Sequence, residues 1–194
     1  LMDQWFEVKL ADPETDEPVP EGEVGELLIR PKAPGIITEG YLGMPEKTVE
    51  TWRNLWFHTG DAMRRDETGW YYFVDRVKDA LRRRGENISS WEVESTINAH
   101  DAVLESAAYG VKSELSEADV MIAVVLKAGQ RLAPEELLDY CTGKMAHFAI
   151  PRYVRFMDAL PRNHAERVQK TELRADGITA DTWDRESVGY RIKR

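Results

Sequence analysis

Cysteine is nearly absent from this chain of 194 residues, which contains only Cys141. A single cysteine excludes an internal disulfide, so we expect a reducing, cytoplasmic compartment. Because Cys141 falls in a predicted helix, we interpret it as a buried structural thiol rather than a nucleophile. Histidine is also scarce, and the four histidines show no spacing typical of zinc ligands, so we predict no metal site.

Long apolar runs and excess positive charge are missing as well. No run approaches the ~20 apolar residues that cross a bilayer, so we predict no transmembrane segment, and the first residues do not resemble a secretion signal. The net charge is −9, and such a surface repels phosphate backbones. Nucleic acid is therefore excluded as the main partner. The chain opens with Leu1 inside a predicted strand, which we interpret as the mark of a fragment.

The composition that remains, 42% hydrophobic and 31% charged, is that of a globular protein with one ordinary domain or two small ones. In the first part, β-prone runs at residues 5–10, 25–30 and 70–74 predict an antiparallel meander, with a short helix over 45–52. The tripeptide Thr59-Gly60-Asp61 is interpreted as a turn.

The pattern changes after Asp75. Ser89 with Glu92 forms a capping box that predicts a helix to about residue 100. Strands over 103–111 and 119–127, a helix over 134–146, a strand over 153–157 and a short helix near Lys170 follow. We therefore predict an α+β protein: an antiparallel, β-rich piece over 1–75, then a small α+β domain over 76–194 with helices over a sheet, and a hinge near 75–79.

Three segments carry the residues suited to chemistry. The first ends in Thr59-Gly60-Asp61, where a carboxylate after a tight turn can accept both hydrogen bonds of a ribose diol. The second begins with Asp75-Arg76-Val77-Lys78-Asp79 and continues through the basic residues 82–84 to Gly85-Glu86-Asn87-Ile88 and Glu94. The third runs from Leu160-Pro161-Arg162-Asn163 to Arg167 and Lys170. Each segment alone is a common surface pattern.

Together and in this order, the segments resemble the C-terminal portion of the ATP-dependent acyl-CoA synthetases, members of the adenylate-forming (AMP-binding) family. The resemblance covers about residues 22–174. The sequence from Arg84 to Ile88, together with Gly40-Tyr41 and Met44-Pro45-Glu46 upstream, is most similar to that of the carnitine- and crotonobetaine-CoA ligase branch.

The resemblance implies a two-step ligase that takes ATP, CoA and a carboxylic acid, first making an acyl-adenylate and then a CoA thioester. It implies nucleotide binding by Asp61, Thr59 and Arg76, and a hinge that pivots at Lys78. The residues it implies for CoA are Arg83, Arg84, Gly85 and Glu86. Where the family usually has Gly-Lys with a catalytic lysine, this chain has Glu166-Arg167. The nearest lysine is Lys170, which we favour slightly over Arg167 as the catalytic cation. Ala149 stands where relatives often carry a lysine.

The family's glycine-rich phosphate loop and the glutamate segment that helps to hold Mg²⁺ are not in the 194 residues. The resemblance places both in a large N-terminal domain, so we expect the fragment alone to be inactive. A homo-oligomer is possible. Two alternatives stay open: the adenylation domain of another adenylate-forming enzyme, such as a peptide synthetase or a luciferase-like oxidase, and a non-catalytic nucleotide- or CoA-binding relative.

Overall fold

Two units make up the computed structural model, Leu1–Lys78 and Asp79–Arg194. The structure describes residues 4–83, 86–112 and 118–192. The division between the units falls inside the segment 75–79, where the sequence predicts a hinge. Lys78 itself is exposed, in a single 3-10 turn at Val77–Asp79. Movement at this point stays a prediction.

The first unit is the predicted antiparallel meander. Its strands β1 (Phe6–Ala11), β2 (Val24–Pro31), β3 (Phe57–Arg65) and β4 (Tyr71–Arg76) lie in sequence order in one sheet. Helix α1 (Pro45–Thr51) begins at a proline, which is favourable there because the first N–H of a helix has no partner within the helix.

Strand β3 corrects one sequence prediction. Residues 59–61 do not form a turn but a bulge inside this strand: His58 pairs with Leu28 and Ala62 with Glu26, so the three residues lie opposite Leu27 alone. Gly60 has φ +71°, a conformation that glycine adopts without steric cost. A turn and a bulge favour the same residue types, so the tripeptide does not distinguish them. Only the pairing of β3 with β2 shows that these residues form a bulge.

The second unit is a mixed sheet between helices. A hairpin of β5 (Leu81–Arg83) and β6 (Glu86–Ile88) leads into α2 (Ser90–Asn98), and then β7 (Val103–Val111), β8 (Asp119–Leu126), α3 (Pro134–Cys141), β9 (Tyr153–Phe156), α4 (Lys170–Asp176) and β10 (Trp183–Asp184) follow. The sheet order is β10-β9-β8-β7, with β8 and β9 parallel and the other pairs antiparallel. The predicted α+β class is confirmed.

The core of this unit lies on both faces of β7 and β8. Side chains of one face, such as Val120 and Ile122, belong to a cluster with apolar residues of α2 and α3. Those of the other face, such as Met121, pack with Leu160 and with Leu173 of α4. Because both faces are covered, β8 is almost continuously apolar, as buried strands are.

Helix α3 is shorter than predicted. It ends at Cys141 rather than near residue 146, because Gly143 adopts φ +77° and the Lys144 N–H turns back to the Cys141 carbonyl. A glycine in the left-handed region is a common helix stop.

Candidate functional site

The bulge in β3 holds Asp61 in a defined position. Thr59 Oγ1 donates to the Leu27 carbonyl at 2.8 Å and accepts from the Asp61 N–H at 3.1 Å. The Gly60 N–H donates to Glu26 Oε1 at 2.9 Å. Side-chain acceptors thus satisfy the N–H groups of Gly60 and Asp61, which the bulge removes from the regular ladder.

Arg76 joins Asp61 from the neighbouring strand. The two residues are register partners of β3 and β4. Arg76 Nη1 lies 2.9 Å from Asp61 Oδ1 and donates to the Thr59 carbonyl at 3.2 Å. The Asp61 side chain is 30% exposed and the Arg76 side chain 43%, so both remain accessible to a ligand. The structure therefore brings the three sequence-predicted nucleotide residues together.

A largely buried network of polar side chains, not predicted from the sequence, lies against the bulge. Glu26 Oε2 is 3.0 Å from His58 Nδ1, and His58 Nε2 is 3.6 Å from Asp16 Oδ2. Arg53 Nη2 lies 3.1 Å from Asp16 Oδ1. Burial acts to raise the pKa of Asp16, but hydrogen bonds from Asn54 and Arg53 outweigh it, so the pKa is lowered. The one available signal in the sequence was Glu26, a charged residue among the apolar residues of a predicted strand.

A pocket of about 420 Å³ opens beside these residues, a volume within the usual range of small-molecule sites. Thr59, Gly60, Arg76 and Lys78 line it. A larger pocket of about 660 Å³ between residues 31–39 and α1 contains none of the predicted nucleotide residues. The smaller pocket is therefore the nucleotide-site candidate of this unit.

Lys170, the favoured catalytic cation from the sequence, is held by protein partners. At the start of α4, its Nζ lies 2.7 Å from Glu94 Oε1 and donates to Ser90 Oγ at 2.7 Å. The Lys170 side chain is 13% exposed and that of Glu94 19%. Glu94 Oε1 also accepts from the Ala108 N–H at 2.8 Å. Lys170 therefore links α4 to α2 in this structure.

Arg167 has the opposite environment. Its backbone closes a turn on Asn163: the Arg167 N–H donates to Asn163 Oδ1 at 3.0 Å, and the Asn163 N–H donates to the Arg167 carbonyl at 3.0 Å. Glu166, at the position of the family's usual glycine, has φ +58°. Arg167 is exposed, and no ion pair of its guanidinium is found within the described part of the chain. Its charge is available to a ligand.

The predicted CoA residues are only partly brought together. Arg84 and Gly85 lie outside the described residues. Glu86 is exposed at the start of β6, whereas Arg83, at the end of β5, is only 5% exposed. Its Nε lies 3.1 Å from Asp119 Oδ1, and its Nη1 donates to the Phe148 carbonyl at 3.1 Å. The structure thus places the Arg83 guanidinium among protein groups and not at the surface.

A second pocket, of about 440 Å³, lies between β6, α2 and the segment 144–149. Asn87, Trp91, Lys144 and Phe148 are among its lining residues. Trp91 is 53% exposed and Phe148 39%, so both rings are accessible to a ligand. Aromatic faces beside a lysine are suited to a flat, anionic ligand.

No helix among the described residues is long and apolar enough to cross a membrane. Within the same residues, no group of three or more acidic, histidine or cysteine side chains is arranged to hold a metal ion.

Comparison with known proteins agrees with the resemblance in the sequence. Residues 92–167 match the family model of the AMP-binding enzyme C-terminal domain. The crotonobetaine/carnitine–CoA ligase of Citrobacter koseri is 34% identical over 170 residues, which are 87% of this chain and 33% of that protein.

Two solved structures are also similar. ATP-bound MatB from Rhodopseudomonas palustris is 34% identical with a TM-score of 0.76, over 88% of this chain and 34% of that one. The anthranilate CoA ligase AuaEII in complex with anthranoyl-AMP is 31% identical with a TM-score of 0.78, over 90% of this chain and 34% of that one. The chain spans about a third of the length of each relative. It belongs to the adenylate-forming, AMP-binding enzyme family, whose C-terminal domain it contains.

Proposed function

We propose that the full-length protein is an ATP-dependent acid–thiol ligase that makes an acyl-adenylate from a carboxylic acid and then a CoA thioester. The observation that carries the proposal is the cluster of Thr59, Gly60, Asp61 and Arg76 beside the 420 Å³ pocket. The names of the relatives support the reaction class, and that of the Citrobacter koseri protein favours a small carboxylic acid. ATP would enter with Mg²⁺, and the cytoplasm is the expected compartment.

In the first step, a carboxylate oxygen attacks the α-phosphorus of ATP and pyrophosphate leaves. Asp61 accepts hydrogen bonds from the ribose hydroxyls, and these fix the position of the α-phosphate. Arg76 orients the Asp61 carboxylate through the 2.9 Å contact. Positioning of this kind matters because the charge that develops on the phosphate in the transition state is stabilised only by donors aligned with it.

For the cation at the α-phosphate we propose Arg167, in place of the sequence preference for Lys170. Arg167 is exposed at the aligned position, whereas Lys170 would have to leave Glu94 and Ser90 first. A guanidinium offers a planar fork, which can bind one phosphate oxygen and one carboxylate oxygen together.

In the second step, the CoA sulfur attacks the acyl carbonyl, AMP leaves, and the thiol proton passes to solvent. We propose that CoA approaches along the β5–β6 hairpin. Its adenine would stack on Trp91 and Phe148 in the 440 Å³ pocket, near Lys144. Glu86, exposed at the start of β6, would lie along the same path, and CoA contacts of Arg84 and Gly85 stay sequence predictions.

The test compares Asp61→Ala with Glu67→Ala, an exposed carboxylate of the same unit, in the full-length protein. Loss of a charged hydrogen bond costs about 1.5–3 kcal/mol, so Asp61→Ala should raise the KM for ATP about 10- to 150-fold in pyrophosphate exchange. The KM for CoA should stay unchanged, and Glu67→Ala should behave as the unaltered protein. An unchanged KM for ATP in Asp61→Ala would refute the nucleotide site. If the protein forms the acyl-adenylate but no CoA thioester, the acyl group is transferred to an acceptor other than CoA.

A further inference from the structure

Arg83 is the one sequence-predicted CoA residue that the structure describes as buried. It is 5% exposed and its carboxylate partner Asp119 is 4% exposed. Arg83 Nε lies 3.1 Å from Asp119 Oδ1. Moving the guanidinium out to a phosphate would break this contact and leave a buried carboxylate without one of its cations, which is unfavourable. A direct contact between Arg83 and a CoA phosphate is therefore unfavourable.

Asp119 is held from its other side as well. Its Oδ2 lies 3.1 Å from Arg152 Nη1, and Arg152 Nη2 lies 2.9 Å from Asp184 Oδ2. Asp119 begins β8, Arg152 precedes β9 and Asp184 lies in β10. The Arg83 contact thus fastens the β5–β6 hairpin to one end of three strands of the main sheet.

Arg83 also reaches the wall of the 440 Å³ pocket. Its Nη1 donates to the Phe148 carbonyl at 3.1 Å, and Phe148 lines that pocket opposite residues of β6 and α2. One side chain therefore links β5 to the main sheet and to the backbone of Phe148, a residue that lines the pocket.

We propose, on the basis of the proposed function, that Arg83 with Asp119 is a positioning pair for CoA. The pair holds strands β5 and β6 and the Phe148 backbone in the geometry that CoA binds, and Arg83 does not itself contact a CoA phosphate. Adenylation does not use this geometry, so only the thioester-forming step depends on the pair.

The experiment uses Arg83→Lys, Asp119→Asn and the conservative Asp119→Glu in the full-length protein. Lysine keeps the charge but has no fork that can reach Asp119 and Phe148 together. Thioester formation is measured with CoA and with dephospho-CoA, and pyrophosphate exchange is followed in parallel. We expect Arg83→Lys and Asp119→Asn each to raise the KM for both thiols by the same factor, tenfold or more, with exchange within twofold of the unaltered protein.

Two further readouts distinguish positioning from phosphate binding. The double variant Arg83→Lys/Asp119→Asn should be no worse than the worse single variant, because both changes break one contact. Asp119→Glu should recover part of the loss. A direct phosphate contact predicts instead that Asp119→Asn leaves the KM unchanged or lowers it, since a negative charge is removed.

Each contrary result overturns the proposal. An Asp119→Asn protein with normal KM values would do so, as would a loss in Arg83→Lys for CoA that is absent for dephospho-CoA. Parallel loss of pyrophosphate exchange would make the pair a general stabiliser of the domain. If the unaltered protein forms neither adenylate nor thioester, the proposed function fails instead, and this control is measured first.

Discussion

Replacing Lys170 by alanine should destabilise the second unit and largely spare adenylation. The change removes an ammonium that lies 2.7 Å from Glu94 Oε1 and 2.7 Å from Ser90 Oγ. Breaking a fully buried ion pair costs about 3–5 kcal/mol, and losing a charged hydrogen bond about 1.5–3 kcal/mol. Because Glu94 is partly exposed and keeps the Ala108 N–H, we expect about 2–3 kcal/mol.

The assay is urea unfolding of the 194-residue chain, with Lys112→Ala as the matched control. Lys112 is an exposed lysine of the same unit, and its replacement should change the free energy of unfolding by less than about 0.5 kcal/mol. In the full-length protein, Lys170→Ala should retain pyrophosphate exchange, whereas Arg167→Ala should lower its rate about 100-fold or more, as loss of one transition-state donor does. A Lys170→Ala protein of unchanged stability that no longer adenylates would refute this reasoning.

Two further predictions concern the segment between the units and the single thiol. Lys78→Pro, which fixes φ in the exposed 3-10 turn, should harm one half-reaction and spare the other, with Lys78→Ala as the control, and equal loss of both would contradict a hinge. Cys141 is fully buried, and burial raises its pKa to about 12, so iodoacetamide at pH 8 should label it only in denaturant. Mass spectrometry measures the labelling, and fast reaction of the native chain would show that the thiol is exposed.

The elements that the sequence predicts best are those fixed by local pattern. The strand over 103–111 is found with the predicted bounds, and that over 119–127 ends one residue earlier than predicted. Both were predictable because long apolar runs indicate a buried strand or a buried helix. Helix α2 begins where Ser89 predicts it, and the Ser89 Oγ accepts from the Glu92 N–H at 3.2 Å. These signals depend on neighbours within a few residues.

The elements that were missed depend on distant partners. A bulge and a turn use the same residues, so the Thr59-to-Asp61 bulge follows only from pairing with β2 and from the Glu26 carboxylate. Arg83 stands in a run of three arginines that predicts an exposed basic surface, yet its strand turns it toward Asp119 and the Phe148 carbonyl. The sequence of three consecutive arginines does not indicate which of them has a buried carboxylate partner.

The catalytic cation illustrates the same limit. By position along the chain, Lys170 and Arg167 differ by one helical turn, and the usual chemistry of the family favours the lysine. The structure separates them by their partners, because Ser90 lies 80 residues before Lys170 in the sequence and yet accepts its hydrogen bond. The turn that presents Arg167 keeps Glu166 at φ +58°, which costs a non-glycine residue about 1 kcal/mol or more. The exposed Arg167 guanidinium, for which the described residues provide no ion-pair partner, therefore supports Arg167 more strongly than the family's usual chemistry supports Lys170.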